Sequence, residues 1–222
     1  MYKPSFKIHG DCRSEICIIR PVFEQELPMS ESFYHAITSE LGRKVSVVSI
    51  GIKHWNDDLS PWNAPPVFGK ESFGNGGKDT LDFIEHEIIP LVTGDIILGG
   101  YSMAGLFSLW CGYESKCFSA IASASPSVWF PEWMEYIHSH RINAEYVYLS
   151  LGDSESSTKN KTIAKVAENI MTQYDRLIEE GKHAILEWNR GGHFCDVEER
   201  TKRAFIETIR SLEKNTHKSE KT

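Results

Sequence analysis

A chain of 222 residues, 41% of them hydrophobic, is long enough to bury a full core and short for an enzyme with a large separate lid domain. Its net charge of -7 and pI near 5.7 argue against a nucleic-acid surface and against binding to anionic membrane, since both favour a basic face. No apolar run in residues 1–7 suits a signal-peptide core and no stretch of about eighteen apolar residues offers a membrane span, so the expectation is a cytoplasmic protein acting on a small molecule.

Ile16-Cys17-Ile18-Ile19 predicts a first central strand, and residues 20–24 a loop. Phe33, Ile37 and Leu41 recur at helical spacing, and Gly42 closes that helix. Residues 45–52 read as a second buried strand. The segment 53–78 has no periodicity, but Trp55, Trp62, Phe68, Phe73 and its prolines make it too aromatic for a disordered linker, and it predicts a packed loop over a pocket. Asp79 is placed to cap a helix carrying Leu81, Ile84 and Ile88, with Asp82 near its first turn.

The apolar run 95–98 predicts a strand buried on both faces, and Leu106, Leu109, Trp110 and Tyr113 predict the helix after it. Residues 117–124 make another strand, and 125–131 a turn with exposed aromatic bulk. Residues 146–151 form the next strand, ended by Gly152. A long helix shows Ile163, Val166, Ile170, Tyr174, Leu177 and Ile178 on one stripe and stops at Gly181. A final strand, 184–188, leads into Arg190-Gly191-Gly192-His193-Phe194, and a last helix runs from about Val197 through Phe205, Ile209 and Leu212. The alternation predicts an α/β fold with a mostly parallel sheet covered on both faces. It reads as one domain over 1–214 with a polar tail, 215–222, expected to fray.

The strand-to-helix turn Gly99-Gly100-Tyr101-Ser102-Met103-Ala104-Gly105 organises the function. A serine in so tight a turn needs small residues two positions before and after it, here Gly100 and Ala104. The geometry lifts its hydroxyl off the sheet edge and aims the next amides at any anion forming beside it. A serine hydroxyl is a poor nucleophile near neutral pH, so it needs a base, and a histidine oriented by a carboxylate is the usual solution.

His193 follows the last strand behind two glycines that allow close backbone approach, and it is the candidate base. The acid is expected after the strand ending at Leu151, from Asp153 or Glu155. Glu155 is preferred because another turn of chain brings it back over the strand end, while Asp153 suits an Asx-type turn. The candidate oxyanion donors are the amide of Met103 and a second amide from the segment after the first strand; Pro21 has none, so Val22 or Phe23 supplies it.

Trp55, Trp62, Trp129 and Trp133 are candidate pocket walls. His138, His140, His183 and His217 lie in polar surroundings and read as surface residues; His138 and His140 meet no further ligands in the sequence, and neither a metal nor a cofactor is indicated. Five cysteines, odd in number and without CxxC spacing, read as reduced thiols.

Gly100-Tyr101-Ser102-Met103-Ala104-Gly105, Ser150-Leu151-Gly152-Asp153-Ser154-Glu155 and Gly191-Gly192-His193-Phe194 together resemble the putative esterase family of α/β-hydrolases, over about residues 14–212. That family includes esterase D-like, feruloyl-esterase-like and enterochelin-esterase-like proteins. The resemblance implies a serine esterase without a cofactor, with Ser102 as nucleophile, His193 as base and Glu155 at the acid position. The chain departs from it at Arg20-Pro21, where such enzymes often carry His-Gly, and it has no basic cluster suited to a siderophore's anionic groups. The same residues would serve a thioesterase or acyltransferase, and an inactive binding protein on this scaffold is the reading from another class.

Overall fold

Aliphatic runs without polar alternation suit strands covered on both faces. In the computed structural model of the chain, which describes residues 3–219, they form one seven-stranded sheet. The strands are β1 (Ser5–His9), β2 (Ile16–Phe23), β3 (Ser46–Ile52), β4 (Asp95–Tyr101), β5 (Ala120–Ala124), β6 (Tyr146–Gly152) and β7 (His183–Asn189). They lie in the order β1-β3-β2-β4-β5-β6-β7, with β1 antiparallel to β3 and every other neighbouring pair parallel. The helices are α1 (Ser30–Leu41), α2 (Trp55–Asp58), α3 (Gly77–Phe83), α4 (Met103–Glu114), α5 (Trp133–Ser139), α6 (Val166–Glu179) and α7 (Val197–Ser219).

Alternate strand residues enter two different cores. Ile19, Ile50, Leu98 and Leu149 pack with α3 to α6, whereas Ile18, Val47, Ile97 and Tyr148 pack with Phe33 and Ile37 of α1 and Phe205 and Ile209 of α7. Helix α4 is buried from Met103 to Tyr113, so it acts as a central element rather than a surface one. Among the described residues no helix is long and apolar enough to cross a membrane.

Several elements differ from the expectations. Strand β1, an antiparallel edge strand, was not expected; its pairing of Phe6 and Ile8 with polar neighbours is half-buried alternation. Residues 20–23 continue β2 instead of forming a loop. They can do so despite Pro21 because β2 pairs with β4 only as far as Ile19 with Leu98, while its pairing with β3 continues to Phe23 with Ile52. Asp79 lies inside the first turn of α3, because the helix begins at Gly77 with Gly76 at its cap position.

The turn 125–131 is covered rather than exposed: Trp129 and Phe130 are buried against Phe73, with ring centroids 6.0 and 5.1 Å away. Segment 53–78 supplies that cover, and Trp62 Nε1 donates to the Pro131 carbonyl at 3.0 Å. Tertiary packing thus overrode the polarity of Ser125-Pro126-Ser127. Helix α6 starts at Val166 after a short 3-10 turn and leaves Ile178 exposed, one position off the stripe that buries Leu177. Gly181, with φ +78°, ends it as expected. The backbone of α7 runs on to Ser219, through part of the tail expected to fray; residues 220–222, and side chains from 215 on, lie outside the described residues.

Trp133 is the largest fully buried side chain, and its Nε1 donates to Gln173 Oε1 at 3.2 Å, whose amide in turn donates to the Tyr113 hydroxyl at 2.8 Å. Replacing it by alanine leaves a cavity and one unpaired buried acceptor, Gln173 Oε1, so Trp133→Ala is expected to cost about 3–5 kcal/mol in a urea titration with unchanged slope. A loss under about 1 kcal/mol would contradict this packing.

Candidate active site

In an open parallel sheet, ligands bind beyond the carboxyl ends of the strands where the chain order reverses. Here that point lies between β2 and β4: the chain passes from β2 to β3 on one side and returns to β4 on the other. A cavity of about 570 Å³ opens there, lined by Pro21, Val22 and Phe23 from β2, by Gly100, Tyr101 and Ser102 from the end of β4, and by His193.

Ser102 separates β4 from α4 with φ 59° and ψ -117°, a conformation unusual for a residue with a side chain. Its amide donates to the Ala124 carbonyl at 3.1 Å, and its carbonyl accepts from Leu106 and Ser127 at 2.9 and 3.1 Å. A Cβ at position 100 would stand 2.5 Å from the Cβ of Ala104, so only glycine fits this side of the turn. Met103 is the first residue of α4, and its amide belongs to the donors that a helix start leaves without an intrahelical acceptor.

Two loops, after β6 and after β7, bring the predicted partners to this hydroxyl. His193 Nε2 stands 2.9 Å from Ser102 Oγ, and His193 Nδ1 stands 2.7 Å from Glu155 Oε2. The other Glu155 oxygen, Oε1, accepts from the Gly152 amide, the Ser125 hydroxyl and Arg200 Nη2, each at 2.7 Å. Asp153 is not in this chain; it accepts from the Gly191 amide at 2.9 Å and the Ser154 hydroxyl at 2.8 Å. The close backbone approach expected at the two glycines before His193 occurs at Gly152, where a Cβ would meet the Gly191 carbonyl at 2.3 Å; at Gly192 it would meet nothing. Gly191 instead supplies a φ of +101°.

The histidine loop is held from both sides. The Tyr101 hydroxyl donates to the His193 carbonyl at 2.6 Å, and Arg200 Nη1 donates to the Gly192 carbonyl at 3.1 Å. Sequence reasoning missed Arg200, Ser125, Tyr101 and Ser127, whose hydroxyl lies 3.3 Å from Ser102 Oγ. A signal for Arg200 exists: it stands four residues before Ala204 on the buried stripe of α7, where an unpartnered charge would be costly.

Val22 and Phe23 close β2 on the cavity wall, Val22 buried and Phe23 exposed. Of the candidate tryptophans only Trp55 lines the cavity, stacked on Phe23 with centroids 4.0 Å apart. Trp62, Trp129 and Trp133 pack elsewhere, in the aromatic cluster under segment 53–78. His138, His140 and His183 are exposed, and the side chain of His217 lies outside the described residues. Among the described residues no group of His, Cys, Asp and Glu side chains is arranged to hold a metal.

Burial alone would raise the Glu155 pKa, but hydrogen bonds from His193, Arg200, Ser125 and the Gly152 amide overcome it and bring the carboxyl down to about 2. Because the folded value lies below the unfolded one, this contribution is present above the ordinary carboxylate range, and it is lost as pH falls from about 4.5 to about 2. Urea titrations across that window are expected to show the wild type losing about 3 kcal/mol more than Glu155→Gln. Parallel losses in the two proteins would contradict the assignment.

The sequence profile of the family described as Putative esterase matches residues 21–194. Among curated proteins none matches the chain in sequence. Its fold is similar to that of the siderophore hydrolase EstA from Aspergillus nidulans, with a TM-score of 0.72 and 17% identity over 93% of this chain and 89% of that one. It is likewise similar to an IroE-like serine hydrolase from Shewanella oneidensis, with a TM-score of 0.72 and 15% identity over 94% of this chain and 75% of that one. The enterobactin esterase FES from Shigella flexneri gives 0.64 and 14%, over 94% and 56%. At these identities the structural likeness speaks to the fold; with the profile covering most of the sequence, the chain belongs to the Putative esterase family, ester-hydrolysing enzymes of the α/β-hydrolase superfamily.

Proposed function

We propose that the chain is a serine hydrolase that cleaves a small carboxylic ester through an acyl-enzyme on Ser102. The observation that carries this reading is the unbroken chain from Ser102 Oγ through both nitrogens of His193 to Glu155 Oε2, at 2.9 and 2.7 Å. With the Nδ1 proton donated to Glu155, the Nε2 lone pair faces the serine hydroxyl. Ser102 Oγ attacks the ester carbonyl while Nε2 takes its proton, and Glu155 stabilises the imidazolium that results. The amide of Met103 and an amide at the end of β2, from Val22 or Phe23, are the proposed donors to the tetrahedral oxyanion. His193 then returns the proton to the leaving alcohol, and a water activated by the same nitrogen releases the acid.

Proteins with similar structures carry names as different as siderophore hydrolase and ferulic acid esterase. Hydrolysis is the chemistry common to those names, and it is all that we carry to this chain from them; the ester bond comes from the family.

The purified protein is expected to react with a fluorophosphonate probe at Ser102, read by peptide mass spectrometry, and Ser102→Ala and His193→Ala are expected to abolish the labelling. On a 4-nitrophenyl ester, kcat should fall by roughly 10⁴-fold or more in Ser102→Ala and about 10⁴-fold in Glu155→Gln. A folded wild type that takes no label, or label that persists in Ser102→Ala, would contradict the mechanism.

A further inference from the structure

Arg20 lies on the cavity wall, two residues before Val22 on β2, with its guanidinium carbon 3.8 Å over the Phe33 ring. Four arginines are at least partly buried, and three of them hold a carboxylate: Arg43 pairs with Glu15 and Glu213, Arg176 with Glu179 and Glu180, and Arg200 with Glu155. Among the described residues the Arg20 guanidinium makes no hydrogen bond and no ion pair. The Phe33 ring against it supplies no oxygen acceptor, so its N–H donors stay without a protein partner.

A guanidinium partly withdrawn from water and without an oxygen partner in the protein is less well solvated than in bulk water, and burial pushes the Arg20 pKa down to about 10, still well above neutral pH. Glu26 and Glu198 also line the cavity and favour the charged form, but both are exposed and neither is within ion-pair distance. Their repulsion of an anion acts through solvent and is screened, whereas an anion in contact with the guanidinium can accept two parallel hydrogen bonds. Arg20 takes no part in the hydrogen-bonded chain of Ser102, His193 and Glu155, so its charge is available to the cavity.

We propose that Arg20 is a specificity residue that receives a free carboxylate carried by the ester substrate, so that the preferred substrates are carboxylate-bearing esters such as half-esters of dicarboxylic acids. The inference rests on the serine-hydrolase reading. Trp55, Phe23 and Phe33 on the same wall contact the apolar remainder.

Two matched pairs of substrates test it. The first pair is 4-nitrophenyl hydrogen glutarate and its methyl ester, with the charge on the acyl side. The second is 4-carboxyphenyl butyrate and its methyl ester, with the charge on the leaving group. In at least one pair the free carboxylate is expected to have a kcat/KM at least about tenfold above its methyl ester, carried mainly in KM, and Arg20→Met is expected to collapse that ratio to about one or below. Arg20→Lys keeps the charge and loses the two-pronged geometry, so its ratio should fall several-fold; it carries the test if the methionine variant does not fold. Ratios at or below one in both pairs for the wild type, or a ratio unchanged in the variants, overturn the inference. Turnover of both pairs without preference overturns it while leaving the serine mechanism in place. Turnover of neither, with Ser102 unlabelled by the fluorophosphonate, overturns both.

Discussion

The arrangement depends on how one buried carboxylate divides its two oxygens. Glu155 gives Oε1 to the scaffold, through Gly152, Ser125 and Arg200, and Oε2 to His193. A carboxylate that is only 3% exposed is unfavourable unless it is paired and hydrogen-bonded, and here every donor comes from a different part of the chain. Arg200 joins α7 to the loop after β6, and its contact with the Gly192 carbonyl reaches the loop after β7. Satisfying the charge and fixing the imidazole are therefore one event. The positive charge of Arg200 also draws on the same carboxylate that stabilises a protonated imidazole, so the proposed base works against a carboxylate already partly neutralised.

The sheet explains why these loops meet. Pairing of β2 with β4 stops at Ile19, and the gap that follows is the crevice beside Ser102. The strained turn at Ser102 costs on the order of 1–3 kcal/mol and persists because its neighbours overdetermine it. Its amide and carbonyl are both bonded, Gly100 and Ala104 leave no room for another path, and α4 behind it is buried on all sides.

Much of the fold was legible because its signals are local. Buried strands are contiguous aliphatic runs, Gly181 ends a helix with a positive φ, and the serine turn carries its small residues at fixed offsets. What escaped was set at long range. Residues 20–23 read as a loop because Pro21 argues against a central strand, and only the ending of one neighbour's pairing makes the strand tolerable. Trp129 and Phe130 looked exposed because the segment that covers them lies more than fifty residues earlier in the chain. The nucleophile turn and the two loops were marked by glycines next to polar residues of matching chemistry. Arg200 was overlooked as one charge on an amphipathic helix, although its place on the buried stripe distinguishes it from its neighbours.

The orientation of His193 is the point at which fold and chemistry join, and it can be observed without substrate. Nitrogen-15 and proton NMR of the protein labelled at histidine should show, near neutral pH, a strongly deshielded Nδ1 proton of His193 with Nε2 unprotonated, and Glu155→Gln should remove that deshielding. A His193 protonated on Nε2 instead, or a proton resonance indifferent to the loss of the Glu155 charge, would contradict the proposal that this carboxylate sets the base for Ser102.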